Sequence, residues 1–419
     1  MEKKVIVVGG GFAGIQLVRS LDPKMFEVLL IDKINHHQFQ PLFYQVATSQ
    51  IEPASISFPL RNIFNNQPNV QFRLTEVTNI DRENKVVHTT IGNFEYDYLV
   101  IAIGCRTNFF GNQRIRDHAF SLKTTYDAMT LRNHVLQNFE SAISASEDEK
   151  QAFLNLVIVG AGPTGVELAG AFAEIKKNIL PKDYHGIDFS KFRIILVEGA
   201  ANTLNNMSDK SKQTSAKYLK RMGVELVMKT IVKDYDGRVL TLNSGEQILT
   251  RTVIWAAGVR GRLMEGLLPD EVAPHGKRIK VNRINQIGDT ADMFAIGDIA
   301  YMETPKFPRA HPQLANVAIN QAKTLAKNLK RIELGQKVKQ FEYFDLGSMA
   351  TVGTNKALVD FPHLHFRGLL AWMIWMFLHL MLILGVRNKL VVFINWAWAY
   401  ITKDTSLRLI LTHPDDRQA

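Results

Sequence analysis

The chain has 419 residues, 46% hydrophobic and 21% charged, which is the composition of a globular protein of two or three domains and excludes a disordered one. Its one cysteine, Cys105, excludes a disulfide framework, a cysteine-ligated iron–sulfur cluster and a CxxC redox pair, and is expected to be a small buried residue. A net charge of +10 suits an anionic partner or simply a solvated basic surface; no metal site and no nucleic-acid partner is predicted.

Only four apolar residues, Val5-Ile6-Val7-Val8, precede the first glycines, too few for a secretion signal. They lead into Gly9-Gly10-Gly11-Phe12-Ala13-Gly14, a G-x-G-x-x-G fingerprint at a strand-to-helix turn. There one glycine makes the turn and one lets backbone approach a pyrophosphate. The last admits close helix packing, and the helix N-terminus faces the phosphates. Asp32 ends the next apolar run, 23 residues after Gly9, where a ribose hydroxyl needs a carboxylate acceptor. An unusual segment follows, Phe39-Gln40-Pro41-Leu42-Phe43-Tyr44-Gln45-Val46-Ala47-Thr48. Short β-rich pieces then lead to a strand running into Gly104.

After a polar helical stretch over residues 124–145, the pattern repeats. Leu156-Val157-Ile158-Val159 precedes Gly160-Ala161-Gly162-Pro163-Thr164-Gly165, and a strand ending in Glu198 lies 38 residues after Gly160. The usual spacing is roughly 20, so residues 181–191 are expected to form an inserted loop that absorbs the excess. This unit also closes with a strand into glycine, Gly258. One fingerprint alone is a weak signal, whereas a duplicated strand–glycine–helix–acid unit predicts two dinucleotides in one protein, with electrons passing between them.

Beyond residue 270, Ala295-Ile296-Gly297-Asp298 ends a strand, and a helix is expected over residues 312–329. Asp298 is placed to accept from ribityl hydroxyls of a flavin, or to cap the next helix. The second unit lies between this element and the first, so the first domain is discontinuous. In the tail, residues 368–386 hold one ionisable side chain, His379, and a 12-residue apolar run follows at 390–401. Tryptophans and apolar residues mix there with Arg367, Arg387, Lys389, Lys403, Arg408 and Arg417, against Asp404, Asp415 and Asp416. That mixture is typical of a membrane interface. A spanning helix and a buried helix remain open for the first run; the second is too short to span.

The chain resembles the type II NADH:quinone oxidoreductases, the non-pumping, single-subunit respiratory NADH dehydrogenases, almost end to end. The resemblance rests on both fingerprints, on Pro41-Leu42-Phe43-Tyr44-Gln45-Val46-Ala47-Thr48, on Gly104-Cys105-Arg106-Thr107-Asn108 and on Trp255-Ala256-Ala257-Gly258. It extends to Ala295-Ile296-Gly297-Asp298 and to the tail Asn395-Trp396-Ala397-Trp398. It implies an α/β fold of two Rossmann-like, glutathione-reductase-like domains with a C-terminal membrane-docking helical module. The implied ranges are 1–118 and 270–335 for FAD, 119–269 for NADH and 336–419 for the membrane module. Gly9, Gly11, Phe12, Ala13, Gly14, Asp32, Lys33, Gly104, Gly297 and Asp298 would hold FAD. Gly160, Gly162, Gly165, Glu198 and Gly258 would hold NADH. The resemblance also implies a homodimer, peripheral on the cytoplasmic side of the inner membrane and in contact with anionic lipid.

The quinone, menaquinone or ubiquinone, would meet Tyr44, Gln45, Asn316, Ile319 and Asn320. The family pattern Ala-Gln-x-Ala-x-Gln reads here Ala315-Asn316-Val317-Ala318-Ile319-Asn320, and asparagine shortens each amide's reach by one methylene. Hydride passes from nicotinamide to flavin only when the rings are in contact, and that step needs no acid or base. Glu167, one turn into the second fingerprint helix, would orient the carboxamide or carry a proton for the quinol, or is a solvated helix-start glutamate. The single cysteine disfavours a dithiol reductase and a sulfide:quinone reductase. The tryptophan-rich tail disfavours a soluble NADH oxidase or ferredoxin reductase. An NADH-responsive membrane flavoprotein without turnover remains an alternative.

Overall fold

The computed structural model describes residues 2–405 and 407–412; Asp415, Asp416 and Arg417, counted in the tail's charge, lie outside them. The chain divides into two compact units, each built on a parallel sheet. The first comprises Met1–Gln38, Phe58–Arg106 and Val259–Phe344, and the second Phe39–Ser57, Thr107–Gly258 and Asp345–Ala419.

In the first unit five strands run in the order Met293–Ala295, Tyr98–Ile101, Lys3–Val8, Phe26–Asp32, Val70–Leu74, every pair parallel. Val5 to Val8 are all buried, as a strand covered on both faces requires. In the second unit four strands run in the order Val224–Met228, Arg193–Glu198, Asn155–Val159, Thr252–Trp255, again all parallel. The internal duplication reaches the register. Val8 pairs with Ile31 on one side and Ile101 on the other, and Val159 pairs with Val197 and Trp255 in the same way. Each fingerprint thus lies between the strand ending in its acid and the strand running into glycine.

Several expectations are corrected. The longer spacing to Glu198 is only partly an inserted loop. The second fingerprint helix, Pro163–Asn178, has 16 residues against 9 in Phe12–Ser20, and the connection after it carries two short helical turns, Leu180–Asp183 and Phe189–Lys191. The helix expected over 312–329 is Ala315–Glu333, with Leu314 at its N-cap. Asp298 therefore caps no α-helix; it lies inside the 3-10 turn Gly297–Ile299.

The two compact units divide the chain at other points than the ranges the resemblance implies: Phe39–Ser57 and the segment Asp345–Ala419 both fall in the second unit. The cause is packing. The helix Phe43–Ala47 rests on Thr125–Ser144 and on Pro163–Asn178. The tail's antiparallel sheet, Ser348–Gly353, Lys356–Asp360 and His365–Gly368, lies on that same Pro163–Asn178 helix. Contact is so close at Gly170 that a Cβ there would overlap the carbonyl oxygen of Val352.

The apolar run 368–386 is not one helix. It forms Leu369–Leu382, breaks at Ile383 to Gly385, where Gly385 has φ 75°, and resumes as Val386–Thr402. No helix among the described residues is long and apolar enough to cross a membrane. Both helices are two-faced. Ala371 and Trp375 of the first, and Asn388, Val392 and Trp396 of the second, are buried. Leu370, Met373, Phe377, Leu390, Phe393, Ile394 and Ile401 face outward, Phe377 and Ile401 at 61% and 79% exposure.

Candidate functional site

Two cradles, one in each unit, are built alike. Gly9 and Gly160 turn the chain at φ 111° and 104°, in the left-handed region where glycine is favoured, and both lie against backbone of the neighbouring strand's end. A Cβ on Gly14 or Gly165 would overlap the carbonyl oxygen of Gly9 or Gly160, so each helix can seat on its strand only through a glycine. A Cβ on Gly11 or Gly162 would meet nothing within 4 Å, which leaves open space at the start of each helix. Each is the N-cap of its helix, with no acid in the first turn, and such an end favours an anion.

The acids are equivalent too. Asp32 accepts from the amides of Gly10 (2.5 Å) and Ile34 (2.9 Å). Glu198 accepts from the amides of Ala161 (2.6 Å) and Ala200 (2.8 Å). Each carboxylate braces its loop and keeps acceptor capacity for ribose hydroxyls, since it has about four lone-pair sites. Burial raises the Asp32 carboxyl, against the lowering effect of those amides. The residues present therefore fit a dinucleotide in both units.

The remaining residues of the first cradle lie in the first unit. Gly104 has φ 64° with open space beside it, and Gly297 has φ 75° with a Cβ position 3.1 Å from Ala13. The Gly297 amide donates to Gln321 at 2.8 Å. Phe12 meets His37 edge-on, and His37 Nδ1 bonds the Gly10 carbonyl at 3.2 Å; burial lowers this imidazole to about 4, so it is neutral. Lys33 pairs at the surface with Glu76 at 2.9 Å. Cys105 is half-buried, not buried as expected: its thiol donates to the Asp298 carbonyl at 3.3 Å and accepts from Gln313 at 3.0 Å. Gly258, φ 93°, is in the second unit with the other residues predicted for NADH, and its carbonyl accepts from the Asn108 amide.

The residues predicted for quinone are divided between the units. Asn316, Ile319 and Asn320 lie on Ala315–Glu333 of the first unit. The Asn320 amide donates to the carbonyl and side-chain oxygens of Asn316, both at 2.9 Å, so these shortened amides bond each other along the helix. Tyr44 and Gln45, both buried, line a cavity of about 90 Å³ in the second unit with Glu167, Glu174, Trp375 and Trp396. That is several times the ~10–15 Å³ one water needs.

Glu167, predicted as either a site residue or a solvated glutamate, is buried. Burial pushes its carboxyl up to about 8, opposed only by a long bond from the Thr351 amide, 3.4 Å. It is a carboxylic acid at neutral pH, able to hold and give a proton. One face of the same helix presents Glu174, also raised by burial and held by the Thr354 amide at 2.6 Å and hydroxyl at 3.1 Å. Tyr44 is pushed well above its ordinary range by burial, and next by the charge of Glu167. Trp375 stacks on His379, 4.1 Å between ring centres, and burial lowers that imidazole to about 4. Glu174 and His37 carried no sequence signal, and Trp396 only that of the tail motif, because each acquires its role from residues distant in the chain. Among the described residues no cluster of metal ligands occurs.

The family model Pyridine nucleotide-disulphide oxidoreductase matches residues 3–322, and the model NDH2 C-terminal domain matches residues 346–403. The type II NADH:quinone oxidoreductase Ndh of Mycobacterium tuberculosis is 33% identical, covering 95% of this chain and 88% of that protein. Among solved structures, an NDH2 of Plasmodium falciparum in complex with NADH superposes with a TM-score of 0.90 at 20% identity, covering 98% of this chain and all of the other. The sulfide:quinone oxidoreductase of Aquifex aeolicus gives a TM-score of 0.72 at 20% identity, covering 96% of each chain. These two structures share the fold.

The Glu167 carboxyl makes a testable contribution to stability. With an ordinary value of 4.5 in the unfolded chain and about 8 when folded, the folded state binds more protons between those values. Stability is therefore fully present below about 4.5 and is lost as pH rises towards 8. Glu167→Gln removes this part of the slope. Denaturation midpoints at pH 5.5 and 8.5 should fall less for the variant than for the unmodified protein; equal falls would place an ordinary carboxyl at this position.

Proposed function

The chain belongs to the type II NADH:quinone oxidoreductases, flavin enzymes that carry electrons from NADH to a quinone without pumping protons, and on that premise we propose which residues do the work. The flavin is FAD, held in the first unit by Gly9, Gly11, Gly14 and Asp32, with Gly297 and Asp298 at the ribityl end. NADH binds the second unit at Gly160, Gly162, Gly165 and Glu198. The observation that carries this reading is the repeated cradle: an open glycine at a helix N-cap, beside an acid hydrogen-bonded to the loop. FAD, when bound, accepts a hydride from NADH and returns two electrons to the quinone.

The quinone is proposed to enter the cavity of the second unit. Tyr44 donates to a carbonyl there, and Glu167 supplies a proton to the quinol oxygen. One proton beyond the hydride is needed for each quinone reduced, and a carboxyl of about 8 is loaded at neutral pH. Oxidation of NADH with a short-chain quinone, with and without detergent, tests the reaction. Release of FAD on denaturation tests the cofactor; FMN would overturn that assignment.

Preference for NADH over NADPH should follow from Glu198, which accepts from a 2′-hydroxyl and repels a 2′-phosphate. Residues 199–207 contain no Arg or Lys. The fold nevertheless brings Lys229 alongside, its amide donating to the Ala200 carbonyl at 3.0 Å. Glu198→Ser should therefore narrow the ratio of kcat/KM values for NADH and NADPH by about tenfold or more, the scale of one charge-assisted bond. Equal use of both by the unmodified protein would refute the role.

The outward faces of Leu369–Leu382 and Val386–Thr402 are proposed to lie in the membrane interface on the cytoplasmic side, with Arg367 and Arg387 towards anionic lipid. Arg408 is committed instead to Asp183 and Asp404, and Lys389 to the Met381 carbonyl. The buried faces belong to the second unit's core, so removing the tail would damage the fold. Replacing Met373, Phe377, Phe393 and Ile394 together by Ser removes apolar area that is more than half exposed and spares the buried faces. Sedimentation with anionic vesicles should weaken by at least about tenfold, while NADH still reduces a soluble acceptor. Unchanged sedimentation would place the membrane face elsewhere.

A further inference from the structure

A chain of hydrogen bonds with a fixed direction runs from the tail into the cavity. Trp396 Nε1 lies 2.7 Å from Gln45 Oε1, and Gln45 Nε2 lies 2.9 Å from the Tyr44 hydroxyl. An indole N–H donates only, so it fixes which end of the Gln45 amide faces it. The other end is the NH2 group, which also only donates, so the Tyr44 oxygen accepts. The proton on Tyr44 is then left over, and no described residue takes it. Flipping the amide would set two N–H groups against each other at Trp396 and would let Gln45 take the Tyr44 proton. All three side chains are buried and line the same cavity.

We infer that Trp396 is a positioning residue for quinone reduction: through Gln45 it commits the Tyr44 hydroxyl as a donor into the cavity, where it selects a ligand presenting a carbonyl oxygen. This rests on the placing of the quinone proposed above. The ligand class follows from polarity. A quinone carbonyl only accepts, and the Tyr44 proton is offered rather than sought. Trp396 lies on the helix whose opposite face carries Ile394 and Ile401, so the element that faces outward also sets the donor. Asn388 holds that helix in register, donating to the carbonyls of Ala54 at 3.0 Å and Ser55 at 3.1 Å.

The test is a double-mutant cycle on the full-length holoenzyme with a water-soluble short-chain quinone. Trp396→Phe should raise the quinone KM about three- to tenfold, the worth of one neutral hydrogen bond, with kcat little changed. Flavin reduction by NADH without quinone, followed by stopped-flow, should keep its rate. Tyr44→Phe should raise KM as well, and adding Trp396→Phe to it should change KM no further, because Trp396 acts only through the Tyr44 proton. Where Trp396→Phe folds poorly, benzothienylalanine at this position keeps the bicyclic ring and removes only the N–H. An unchanged KM in either single variant, or losses that multiply in the double variant, overturns the inference. Absence of quinone turnover in the unmodified protein, with its flavin still reduced by NADH, overturns the underlying reading as well.

Discussion

The helix after each fingerprint rests on its strand through bare backbone, and the rest of the protein is arranged around that contact. The carbonyl of Gly9 occupies the place where a Cβ of Gly14 would be, and Gly160 does the same to Gly165. Only this close seating aims the helix start at the open space beside Gly11 and Gly162. The cradle would be slack without a brace, and the brace is a carboxylate bonded to the loop's second residue, Gly10 or Ala161. The group expected to hold a ribose thus also holds the loop expected to meet the phosphates. Fixed dipoles placed before a ligand arrives have no ordering cost when it binds.

A third glycine extends the same device to the tail. Gly170, in the helix after the second fingerprint, lets the strand Ser348–Gly353 lie directly on it. The tail is thereby fastened to the helix that bears Glu167 and Glu174. Trp375 and Trp396 complete the attachment. A buried tryptophan removes roughly 150–250 Å² from water, worth about 4–6 kcal/mol at 25 cal/mol per Å². Two such anchors, with Asn388 bonded to the backbone at Ala54 and Ser55, are enough to make one face of an apolar helix pair part of the core while the other stays outside.

Burying Glu167 among Tyr44, Gln45 and aromatic rings has a cost that the protein carries at neutral pH by keeping the acid protonated. Its one amide contact is long, so little favours the ionised form. Glu174 is raised for the same reason but receives two short bonds from Thr354. Two glutamates on one helix face therefore differ in how firmly the folded chain holds their negative charge, although both line the same cavity.

The two dinucleotide units were legible in the sequence because their determinants are local. A buried strand, glycines at fixed offsets and an acid at the end of the next strand are all set within a few tens of residues. The family could be read for the same reason, since its motifs are contiguous. What the sequence could not decide was where separate segments meet. Nothing near Phe43–Ala47 says that it packs with the tail, and a hydropathy run over 368–386 does not reveal a break at Gly385 or a buried side on each half. Glu167 read equally well as solvated, because the neighbours that enclose it, Tyr44 and Thr351 among them, lie far from it in the chain. Local conformation is encoded by neighbours in the chain; desolvation and hydrogen-bond direction are created only by neighbours in space.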